Sequence, residues 1–182
     1  MPFGSLWLPV LVSAVVMHVL GFLAWVVLPY NKKLWKGLPD EEAARRVLSL
    51  PPGQYRIPAP REGGSMKDPE LIERYARGPV GTILIEKPGG MAMGRRIGLT
   101  FAWNLFIAIM TAYVLRNALV PATPFVKVFQ IAGVTCFGFC GFATFQEAIW
   151  FSKSWARVGF DVLDALAYGL ATGAIFAALW PA

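Results

Sequence analysis

The chain has 182 residues, 56% of them hydrophobic and 15% charged, with 17 Lys and Arg against 11 Asp and Glu and a net charge of +6. A soluble domain of this length usually carries nearer a quarter charged residues, so an ordinary water-soluble globule is excluded. The apolar residues gather into four runs, at about 6–30, 97–120, 125–151 and 159–180. Each approaches or exceeds the roughly 20 residues that a helix needs to cross the hydrocarbon core of a bilayer. The predicted fold class is therefore an all-α membrane protein of four transmembrane helices, with a small cytoplasmic α/β cap (31–96) inserted between helices 1 and 2.

The first run is read as a retained helix and not as a secretory signal. Its leader MPFGS has no Lys or Arg, the run is long, and no small-x-small cleavage pattern follows it. His18 lies near its middle, roughly 10 Å deeper than the charged residues of helices 3 and 4. It is the single histidine, so bis-histidine haem within one subunit is excluded. It remains a candidate haem or pigment ligand, beside the plainer reading of a histidine bonded to a helix neighbour.

The insert holds thirteen of the 17 basic residues and eight acids. Pro39–Arg46 puts acids before bases, which suits a helix dipole. Asp68 as N-cap, Pro69 at the first helical position and Gly78-Pro79 as terminator predict a second helix over 69–77. PPGQYRIPAP (51–60) has too many prolines for helix. Its Tyr55-Arg56-Ile57 segment is expected to pair with a strand at GTILIEK (81–87). With few large apolar residues, the insert is read as a cap packed on the helix ends.

Helices 2 and 3 are joined by a short loop that carries little charge. Helix 3 contains both cysteines, Cys136 and Cys140, read as small packing residues. Its inner end, FATFQEAIWF, holds Glu147. Six residues (152–157) then force an antiparallel hairpin with helix 4. That helix spaces Ala165, Gly169, Gly173 and Ala177 by four, a small-residue stripe that lets backbones approach closely. Helix 3 is the expected partner, and another protein is the alternative.

Topology follows from the basic residues. Fifteen lie in the first and third loops and two in the second, which places both termini outside and the insert in the cytoplasm. Trp7 and Trp180 are expected at the outer interface, and Trp35, Trp103, Trp150 and Trp155 at or near the inner one. The charge therefore explains orientation, and no nucleic-acid partner is inferred.

Ionisable groups inside a membrane are the default functional suspects. Glu147 and Asp164 lie symmetrically about the loop centre, each roughly 6–8 Å inside the cytoplasmic edge by helical rise. Asn104 reaches nearly the same layer from helix 2, and Tyr168 follows Asp164 by one turn. Lys153, Arg157, Arg95 and Arg96 are expected as counter-charges. One reading makes Glu147, Asp164, Asn104 and Tyr168 a proton or substrate site. The other has the carboxylates pin the bundle by pairing with interfacial bases, a role also assigned to Asp161. Walker, GxSxG, zinc and dinucleotide motifs do not occur, so neither catalytic residues, metal nor cofactor are expected.

HVLGFLAWVVLPYNKKLWKGL and the closing hairpin GFATFQEAIWFSKSWARVGFDVLDALAYGLATGAIFAALW resemble a family of small four-helix bacterial membrane proteins, domain of unknown function number 1761. The resemblance implies the four-helix topology and no activity. The function expected is a non-catalytic subunit or scaffold of a larger bacterial inner-membrane complex, energy-transducing complexes included, with structural lipids and other membrane subunits as partners. A small proton-coupled transporter using the carboxylate pair is the alternative. A membrane enzyme acting on a lipid or quinone is a third reading.

Overall fold

A computed structural model describes residues 2–90 and 92–181. It contains four helical spans long and apolar enough to cross a membrane: Gly4–Val27, Met93–Ala118, Phe125–Phe151 and Trp155–Ala178. Four such spans are those of a multi-pass membrane protein.

The first span opens with a 3₁₀ turn, Phe3–Leu6, continues as α1 (Trp7–Phe22), and widens into a π-helical turn over Leu23–Val27. Pro9 sits in the first turn of α1, where its missing N–H costs no helical bond. The helix does not reach residue 30 as the apolar run suggested. Leu28 is extended (φ −76°, ψ 138°) because the ring of Pro29 crowds a helical conformation in the residue before it. A separate short helix follows, α2 (Tyr30–Lys33). This break sets Tyr30 off the axis of α1.

In the insert, α3 (Glu41–Val47) starts at Asp40, whose Oδ1 accepts from the Ala43 amide at 2.8 Å. Strand β1 (Gly53–Ile57) precedes α4 (Pro69–Arg77), and β2 (Gly81–Ile85) follows it. Asp68 caps α4 through the Glu70 amide, and Gly78 ends it at φ 67°. The strands pair antiparallel with Tyr55 opposite Ile83. These elements stand as expected, but their packing does not. Among the described residues, no helix or strand between Glu41 and Ile85 makes an extended contact with a bundle helix. An ion pair joins Glu86, after β2, to Arg96 in the second span. Leu71 is the fully buried residue of α4; so small an apolar core cannot also cover the helix ends.

The second span is α5 (Met93–Ala118), which starts four residues earlier than the apolar run, so Arg95 and Arg96 belong to its first turns. The third divides into α6 (Phe125–Gly141) and α7 (Ala143–Phe151), bent at Phe142. The fourth is α8 (Trp155–Ala178), with Ser154 as N-cap accepting from the Arg157 amide at 3.2 Å. Serine capping therefore begins this helix four residues before the apolar run at 159.

The most extensive contact in the molecule is between α6 and α8. Here the small-residue stripe is used within the chain: a Cβ placed on Gly169 would lie 2.7 Å from the Gly133 carbonyl oxygen, and one on Gly173 2.7 Å from that of Phe129. Ala165 faces Gly141 in the same row. Helix α1 packs across α5 and α8, with Leu6, Ala14 and Met17 buried against Ala112, Leu115 and Phe176. At the terminal end, Trp180 donates to the Val120 carbonyl and the Ala122 amide to that of Pro181, at 3.1 and 3.0 Å. Trp7, Trp35, Trp103, Trp150 and Trp155 are exposed.

Candidate functional site

The polar residues of the bundle gather where α7 turns into α8. Ser152 adopts a left-handed conformation (φ 60°, ψ 24°) that closes α7. The Lys153 amide then bonds back to the Glu147 carbonyl at 3.3 Å, and Ser154 opens α8. This tight turn folds the Lys153 ammonium over the end of the hairpin, where it pairs with Glu147 and, at 2.8 Å, with Oδ2 of Asp161. Asp161 also receives the Arg157 guanidinium at 2.7 Å, one turn away on α8, and the Thr144 hydroxyl of α7 at 2.7 Å.

Asp161 is thus the hub, with a side chain 17% exposed, against 25% for Lys153 and 55% for Glu147. Asp164 takes a different partner: it accepts from the Tyr30 hydroxyl, and the Tyr30 ring stacks on Phe160 at 4.6 Å. Trp25 completes the cluster, its ring 4.2 Å from the Arg157 guanidinium carbon. A cavity of about 260 Å³ opens between these groups, lined among others by Glu147, Asp161, Asp164, Tyr168 and Cys140.

Three carboxyl groups therefore face two cations and a phenol. Burial raises the Tyr30 phenol, and its bond to Asp164 adds to this, so it is pushed up to about 12. For Lys153, burial works against the charged form. The bonds and charges of Asp161 and Glu147 outweigh it and hold the ammonium above its ordinary value.

Glu147 and Asp164 do not pair as their symmetric depth suggested. Glu147 is held by Lys153 and Asp164 by Tyr30, because the turn lysine and the broken end of the first span reach them first. Asn104 is buried on α5 but does not line the cavity. Tyr168 does line it, and its hydroxyl lies 3.1 Å from where a Cβ on Gly21 would stand. Arg96 pairs with Glu86 of the insert and not with either bundle carboxylate. His18 presents its ring edge to Phe101 at 5.7 Å, and its buried Nδ1 has no hydrogen-bond partner among the described residues, unlike the neighbour-bonded histidine expected.

Sequence reasoning did not find Tyr30, Trp25 or Thr144. Thr144 had a signal, since it precedes Glu147 by three and so shares its helix face. Tyr30 had none, because only the break at Leu28 directs it to α8. Among the described residues, no three of His, Cys, Asp and Glu gather as metal ligands. A second cavity, about 310 Å³, lies in the insert beside Arg56, Arg74 and Arg77. Comparisons with family models, with curated proteins and with solved structures give no match.

Proposed function

We propose that the chain is a non-catalytic subunit of a larger membrane assembly, lying in the bacterial inner membrane with the insert in the cytoplasm and both termini outside. Its polar cluster fixes the α7–α8 hairpin and moves no proton. One observation carries this reading: the cluster is satisfied from within. Glu147 and Asp161 share Lys153, Asp161 also holds Arg157, and Asp164 holds Tyr30. Beyond it towards the termini, the bundle interior holds apolar side chains such as Ile107, Val128 and Phe176 and the hydroxyls of Ser13, Thr111 and Thr172, with no further carboxylate among the described residues. A carboxylate committed to two cations in a partly buried setting is costly to protonate, which suits a fastening better than a carrier.

The orientation rests on the basic residues, fifteen on the insert side against two on the other. Outward-facing apolar residues, including Val19, Phe139 and Leu170, suit contact with lipid and with other membrane subunits. Purification from the native membrane in mild detergent, followed by mass spectrometry, tests the subunit reading. A stoichiometric integral-membrane partner is expected; a chain that always runs alone removes the proposal.

A second reading, a small proton-coupled carrier, is supported by the single cavity that Glu147, Asp164 and Tyr168 line. It requires that Glu147→Gln or Asp164→Asn abolish a pH-dependent flux in liposomes while folding is kept.

A further inference from the structure

On the face of α6 turned to α1 and α8, the buried sulfur of Cys136 lies next to two others. Cys136 and Cys140 are one turn apart on α6, and their Sγ atoms lie 4.0 Å apart. Cys136 is fully buried, and its Sγ lies 3.7 Å from Sδ of Met17 on α1. A metal ion bound at about 2.3 Å from sulfur, the Zn–S length, and shared equally by three sulfurs in a plane requires S···S edges of about 4.0 Å. The two edges that share Cys136 therefore already have the spacing of a trigonal sulfur site.

We propose that Cys136, Cys140 and Met17 form a binding site for Cu(I). Thiolate and thioether donors select a soft, monovalent ion, and a thioether is a poor ligand for harder divalent metals. Zinc in structural sites takes four tetrahedral ligands, and among the described residues no further His, Asp or Glu joins the two cysteines. Both thiols bind as thiolates, so both protons leave through the cavity and the loaded site carries one net negative charge.

Two other features fit the same use. Cys140 lines the cavity that carries Glu147, Asp161 and Asp164, which gives the ion an entry path from the charged end of the bundle. Cys136 bonds to the Thr172 hydroxyl at 3.4 Å; once the thiol proton is displaced, that hydroxyl turns to donate to the thiolate, as outer-shell partners of metal sites do. The inference is independent of whether the chain is a subunit or a carrier.

The test is titration of the reduced, detergent-purified full chain with Cu(I) under anaerobic conditions, against a chromophoric Cu(I) chelator, with X-ray absorption on the loaded protein. One ion per chain is expected, with sulfur neighbours alone at about 2.3 Å. Cys136→Ser and Met17→Leu should each weaken binding about tenfold or more, and Thr172→Val about tenfold. Met17→Leu conserves volume and keeps both thiols, so it decides the matter if Cys136→Ser does not fold. Nitrogen or oxygen in the copper shell, Zn(II) competing on equal terms, or binding unchanged in Met17→Leu would each overturn the site. The last result would leave the copper on the two cysteines alone, without the thioether.

Discussion

Replacing Gly169 or Gly173 by alanine puts a methyl carbon 2.7 Å from a carbonyl oxygen of α6, that of Gly133 or Phe129 respectively. Carbon and a carbonyl oxygen rest no closer than about 3.3 Å, so α6 and α8 must part by about 0.6 Å at either site. The obstacle is backbone, which no rotamer change can move. A gap of that size forfeits a quarter to a half of each dispersion contact across the seam, and overpacking of this kind costs about 1–3 kcal/mol. The alanine returns up to about 1 kcal/mol through better helix propensity. Each variant should therefore lose about 1 kcal/mol, and at most about 2. Gly98 and Gly159 are the internal controls, since a Cβ at either meets nothing within 4 Å; there the propensity gain stands alone and alanine stabilises. Unfolding of each variant by sodium dodecyl sulfate in mixed micelles, followed by tryptophan fluorescence and circular dichroism, ranks the four. If Gly169→Ala and Gly173→Ala prove as stable as Gly159→Ala, the close approach of α6 and α8 is wrong.

The same assay separates the acids of the polar cluster. Asp161→Asn leaves Lys153 and Arg157 without their shared carboxylate and should cost roughly 1.5–3 kcal/mol, whereas Glu147→Gln, at an exposed pair, should cost under about 1 kcal/mol; the reverse order would displace Asp161 as the hub. In alkali, Tyr30 contributes stability through its neutral form, complete below its ordinary value of 10.0 and lost as pH rises through about 12. Lys153 acts in the same sense, complete below 10.5 and lost above its raised folded value. Stability should thus stay level up to about pH 10 and fall beyond it, less steeply in Tyr30→Phe. A tyrosinate absorbance step near pH 12 should disappear in that variant; an unchanged titration contradicts the Tyr30–Asp164 bond.

Most of the fold was legible because its signals are local. Four long apolar runs became four helical spans, the Asp68-Pro69 start and Gly78 stop bounded α4, and the alternation of GTILI paired with Tyr55-Arg56-Ile57 as expected. The stripe on α8 could be read too, since spacing by four fixes one face, and the short turn to α6/α7 named its partner. The site was legible in place but not in pairing. Depth along a helix follows from counting residues, which put Glu147 and Asp164 correctly at the hairpin end. Azimuth and side-chain reach do not follow from counting. Lys153, in the turn, spans both Glu147 and Asp161, while the break before Pro29 delivers Tyr30 to Asp164 across 134 residues of sequence. The insert's packing was not legible for a related reason: beside the buried Leu71, its large apolar residues, Trp35, Val47, Ile72 and Leu84 among them, stand exposed and do not cover the helix ends.

Whether this cluster fastens the hairpin or passes protons is decided most directly by proton flux in proteoliposomes under an imposed pH gradient. The account predicts that vesicles with the parent chain hold the gradient as long as protein-free vesicles do, and that Glu147→Gln and Asp164→Asn change nothing. A gradient that collapses with the parent chain and is restored by either substitution would contradict it.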